Sequence, residues 1–71
     1  MIEVLDEMIE GQKKTLFNVA RRIVPRITED DLLQPNDFPE LETNGYFRYE
    51  EGILAGLQMA KSAALSVRNE F

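Results

Sequence analysis

In the first 24 residues the apolar side chains recur at Ile2, Leu5, Ile9, Leu16, Val19 and Ile23. Gln12 fills the one gap, so the spacings run 3, 4, 3, 4, 3, 4. Residues three and four apart share one face of a helix, whereas a strand alternates with period two. The pattern predicts an amphipathic helix over about 2–24 with a continuous stripe to bury. Pro25 sets its end, because the ring clashes with the carbonyl of Arg21 and disfavours helix at Val24. A second stripe, Phe17, Ala20, Val24 and Ile27, widens the apolar arc of the C-terminal half. That half should meet two neighbours rather than one.

The same spacing returns near the other end of the chain, at Ile53, Leu57, Ala60, Ala64, Val67 and Phe71. It predicts a second long helix over about 46–70, and both helices come to roughly 36–38 Å at 1.5 Å per residue. Between them lies a connection, residues 25–45, too long to be structureless in a small domain. Thr28, followed by Glu29, Asp30 and Asp31 and then by Leu32 and Leu33, predicts a short capped helix over about 29–34. Pro35, Asn36, Asp37 and Pro39 are expected to break it, with Phe38 and Leu41 as apolar anchors. Thr43-Asn44-Gly45 is cap and turn chemistry for the next helix. One or two aromatics of Tyr46-Phe47-Arg48-Tyr49 should tie the connection to the first helix near Phe17 and Val24. No segment alternates as a strand would, so the expected fold is all-α. It is an antiparallel two-helix hairpin forming a single domain over 1–71.

Size then bears on assembly. Below roughly 70–80 residues one core seldom supplies more than about 3–5 kcal/mol without disulfides, metal or association. The 71 residues include no cysteine and no histidine, which excludes disulfides, thiolate or imidazole metal sites and the commonest general base. Self-association is the device left, most simply as a dimeric four-helix bundle. The stripe Ile2, Leu5, Ile9, Gln12, Leu16, Val19 and Ile23 is the candidate self-association surface, with Gln12 as a polar residue that fixes register.

Gly52, Gly56, Ala60 and Ala64 recur every four residues and form a ridge small enough for another helix to approach closely. They are the candidate helix-packing or partner groove, where Gly56→Ala should be harmful. Gly11 falls opposite the first stripe, where the same change should help. Phe38, Leu41, Tyr46 and Tyr49 are candidates for partner binding in the connection.

The chain carries 8 basic and 13 acidic residues, net −5. That balance argues against a phosphate-tracking nucleic-acid binder and against an anionic membrane surface. The charges are segregated, with acids in residues 1–10 and bases in 11–28, an order that suits the helix dipole and allows a Glu10–Lys14 pair. The acidic connection lacks the spacing of a calcium loop. No apolar stretch is long enough to span a bilayer, and the N-terminus lacks the basic region and apolar core of a signal peptide. A cytoplasmic location is expected.

Ser62 and Ser66 have no histidine base, and no glycine-rich phosphate loop is present. An enzyme is not expected, nor is a cofactor or metal. The reading is a small acidic interaction module, partnered by itself and by another protein. An acidic effector that mimics nucleic acid or occupies a basic protein surface is the alternative. A nucleic-acid binder using Lys13, Lys14, Arg21, Arg22 and Arg26 ranks below both.

Overall fold

Two long helices lie antiparallel, and the connection between them folds back over one end. The structure, a computed structural model, describes residues 1–70, with side-chain surroundings as far as Val67. Helix α1 spans Ile2–Ile23; two 3-10 turns follow, η1 (Asp30–Leu33) and η2 (Pro35–Asp37); α2 is the single turn Pro39–Glu42; α3 spans Gly45–Glu70. Among the described residues there is no strand. The fold is all-α, an antiparallel pair of long helices with short helices between them.

The local chemistry accounts for each boundary. Val24 leaves helical geometry at φ −126° and ψ 89°, the extended conformation a following proline imposes, while its N–H still donates to the Ala20 carbonyl at 2.7 Å. Thr28 and Asp31 cap each other: the Asp31 N–H donates to Thr28 Oγ1 at 3.3 Å, and the Thr28 N–H donates to Asp31 Oδ2 at 3.0 Å. At the start of α3, Asn44 Oδ1 accepts from the Phe47 N–H at 2.9 Å, the bond expected of an N-cap residue.

The connection is more helical than its prolines suggest. Pro35 and Pro39 do not merely break the segment; each stands in the first turn of a new short helix. A proline at that position gives up an N–H that would be unpaired anyway, and its fixed φ suits the helix. The expected short helix at 29–34 forms as a 3-10 turn, Asp30–Leu33, one residue shorter at each end.

The core lies at the connection end. Leu16, Val19 and Ala20 of α1 meet Ile27 and Leu41 of the connection and Phe47 of α3, with Phe17, Ile23, Val24, Leu32, Phe38 and Leu54 packed around them. Leu41 and Ala20 are wholly buried and Phe47 is 1% exposed. The two neighbours required by the wide apolar arc of α1 are therefore α3 and the folded connection. Toward the other end only two helices remain, joined by an Asp6–Lys61 ion pair of 2.6 Å.

The packed face of α3 differs from the expected stripe. Ile53, Leu57 and Ala64 are half-buried as expected, but Ala60 and Val67 are exposed, and Phe71 lies outside the described residues. Phe47, Leu54 and Lys61 take their place on the seam. Placing Phe47 in the core fixes the rotation of the whole helix, and residues seven and fourteen positions further on follow it.

Candidate functional site

With the hairpin closed, each candidate residue has a definite place. The α1 stripe is covered by its own chain: Ile9, Leu16 and Val19 are buried, while Ile2, Leu5, Gln12 and Ile23 are half-buried. That corrects its assignment as a surface left for a second copy, because α3 of the same molecule already lies on it. Gln12 is part of this seam; its Nε2 donates to the Glu50 carbonyl at 3.0 Å and to Glu50 Oε2 at 2.6 Å.

Two of the four candidates in the connection are core residues. Leu41 is fully buried, out of a partner's reach, and Phe38 is half-buried against the core. Tyr46 and Tyr49 are 59% and 66% exposed. They lie one position before and two positions after Phe47, on the turns of α3 that its burial directs outward.

Within the chain no helix packs on the small-residue ridge. Gly52, Gly56 and Ala60 are exposed, and Ala64 is half-buried. A methyl group added at Gly52 or Gly56 would meet nothing within 4 Å, and the same is true at Gly11.

The outer face of α3 has an unusual composition. From Gly52 to Val67 the exposed residues are glycine, alanine, serine, methionine, leucine, valine and one glutamine. The single charged residue in that stretch, Lys61, is half-buried and bonded to Asp6. Met59 is 72% exposed, Val67 54% and Leu65 37%. On α1, by contrast, Glu3, Glu7, Lys14, Arg21 and Arg22 stand in water.

A cleft of about 700 Å³ opens between α1, η1 and α3. Leu16, Phe17, Leu32, Leu33 and Leu54 supply its apolar surface, and Lys13, Lys14, Glu29, Asp30 and Gln58 stand around it. Lys13 pairs with Glu10 at 3.4 Å, three residues away, in place of the expected Glu10–Lys14 pair. Two arginines of the basic segment stand elsewhere, with Asn18 and Pro25 around a shallow depression; Arg21 lies over the Phe17 ring, 5.7 Å from its centroid. Arg21 and Arg22 thus border a different depression from Lys13 and Lys14, although Lys14, Arg21 and Arg22 share one face of α1 with Asn18 between them.

The cleft was not anticipated. Leu32 and Leu33 were legible as apolar residues to bury, but only the placement of η1 beside α1 makes them a wall. Among the described residues no three carboxylates converge on a point where a metal ion could be held. No helix among them is long and apolar enough to cross a membrane.

No known protein family, curated protein or solved structure matches the chain.

Proposed function

We propose that this chain is a small non-catalytic protein–protein interaction module that works as a homodimer, with a second hairpin laid on the outer face of α3 to complete a four-helix bundle. The uncharged outer face of α3 carries the reading. A solvent-facing helix surface normally carries charged residues, and between Gly52 and Val67 the side of α3 that α1 leaves uncovered has none. Small residues at Gly52, Gly56 and Ala60 would let a second backbone approach closely, and Met59 and Val67 would leave water in the process. Association would also supplement a core whose main cluster sits at one end of the hairpin.

Sedimentation equilibrium tests it. The expected result is a mass twice the 8.2 kDa of the chain, falling toward 8.2 kDa on dilution. Met59→Asp, at a site that is 72% exposed in the single chain, should give a folded monomer. A folded 8.2 kDa species at every concentration would end the proposal.

A second reading, an acidic effector that occupies a basic protein surface, is favoured by the connection. Glu29, Asp30, Asp37, Glu40 and Glu42 are all exposed, and among the described residues none has an ion-pair partner. Such binding would fall away steeply with added salt, whereas association through α3 would not.

A further inference from the structure

We infer that the cleft between α1, η1 and α3 is a docking groove for an amphipathic helix of another protein, acidic along one edge and basic along the other. The inference rests on reading the chain as an interaction module, and it concerns the cleft, which adjoins the outer face of α3 at Gln58.

The groove combines an apolar floor with walls of opposite charge. Leu16, Phe17, Leu32 and Leu54 make the floor. Leu33 sits at the lip and is 80% exposed, although its neighbour Leu32 packs against the core. Lys13 and Lys14 come from α1, which also brings Glu10, bonded to Lys13, and Glu29 and Asp30 come from the η1 side. Glu10 offsets Lys13 within the α1 wall, which leaves Lys14 as its net charge; among the described residues Lys14, Glu29 and Asp30 have no ion-pair partner, so neither wall is neutralised by the other.

The charge pattern selects the occupant. An anionic amphiphile would be drawn to the lysines and repelled by Glu29 and Asp30; a cationic one would meet the reverse conflict. A helix with acids on one edge and bases on the other suits both walls at once. From Glu10 to Asn18 the α1 side runs about 12 Å at 1.5 Å per residue, two helical turns, which matches apolar anchors at i, i+3 or i+4, and i+7.

The test is selection from a displayed library of randomised peptides about 15 residues long, near the length at which a helix begins to hold in water. The whole chain is the bait, and circular dichroism confirms that each variant is folded. Selected peptides should converge on that apolar spacing, with an acidic edge and a basic edge. Leu33→Glu and Lys14→Glu, both at exposed sites, should each weaken their binding by roughly tenfold or more. A peptide with its acidic edge reversed to basic should recover affinity for Lys14→Glu. Selected sequences without the two-edged pattern, or equal binding to the variants, would overturn the inference. So would a Leu33→Glu chain that loses its own self-association, since a second copy would then be the occupant. Sedimentation and peptide binding are read separately, so either proposal can fail while the other stands.

Discussion

Gln12 and Glu50, thirty-eight residues apart, are joined by two hydrogen bonds from one amide nitrogen: Gln12 Nε2 donates to the backbone carbonyl of Glu50 at 3.0 Å and to its carboxylate at 2.6 Å. An amide nitrogen has two hydrogens to donate, and both acceptors lie on α3. The one polar residue of the α1 stripe is thus a cross-link between the helices, and it helps fix their register within a single chain.

Gln12→Leu should therefore destabilise the fold. The leucine adds apolar area to the seam but leaves the half-buried Glu50 carboxylate without its donor, and losing such a bond costs about 1 kcal/mol, more where the acceptor stays dry. Urea unfolding should give a lower midpoint. An unchanged or higher midpoint would mean that water replaces the amide freely. This reverses the expectation from sequence, in which Gln12 fixes register at a cost in stability and its replacement by leucine raises the melting temperature.

The two glycines compare a surface of the single chain with a surface of the proposed dimer. Neither Gly11 nor Gly56 has anything within 4 Å of an added methyl group, so in the monomer both alanine variants should gain about 0.5–1 kcal/mol from helix propensity. In the dimer, Gly56→Ala would push the second hairpin outward at about 1–3 kcal/mol. Unfolding measured at low and high protein concentration should show Gly11→Ala stabilising at both, and Gly56→Ala changing sign between them. A Gly56→Ala gain that persists at high concentration would remove the ridge from the interface.

Phe47 and its neighbouring tyrosines should respond in opposite ways. Phe47 is 1% exposed and touches both α1 and the connection, so Phe47→Ala should cost about 3–5 kcal/mol. That is a large part of the stability available to a chain of this length, taken as about 0.05–0.15 kcal/mol per residue. Tyr46→Ala and Tyr49→Ala, at exposed sites, should stay within about 0.5 kcal/mol. Thermal melts by circular dichroism distinguish the two outcomes. A strongly destabilising tyrosine change would place that ring in an interface.

Asn44→Ala should remove the cap of α3 and cost about 1 kcal/mol, because the Phe47 N–H loses its 2.9 Å acceptor. Asn44→Asp keeps an acceptor and adds a negative charge at the helix N-terminus, so it should be neutral or mildly stabilising at neutral pH. Protonating that aspartate in acid would weaken both effects. A pH titration of stability for the Asp variant against wild type would show the difference, larger above the carboxylate range than below it.

Much of the fold could be read from spacing. The α1 stripe, Pro25 and the Asn44-Gly45 pair placed the long helices to within a residue or two, since periodicity, proline sterics and capping act over one to four residues. The wide apolar arc ending at Ile27 likewise foretold that α1 needs two neighbours, and Phe47 was among the aromatics expected to tie the connection down.

What spacing left open is which neighbour covers which face. Almost any rotation of α3 offers something apolar to bury, so its sequence does not choose among them; Phe47 packing with Leu41 and Ala20 does. That choice sends Gly52, Gly56 and Ala60 outward, places Glu50 opposite Gln12, and leaves Met59 in water. The cleft has the same origin, because Leu16 and Leu33 become neighbours only when the chain turns back at Pro25 and lays η1 beside α1. The sequence by itself determined the helices and where they end, through local sterics and hydrogen bonding. The tertiary structure decided which surfaces remain exposed for another molecule, because burying one face of a helix against a distant segment is a long-range event that fixes the opposite face as well.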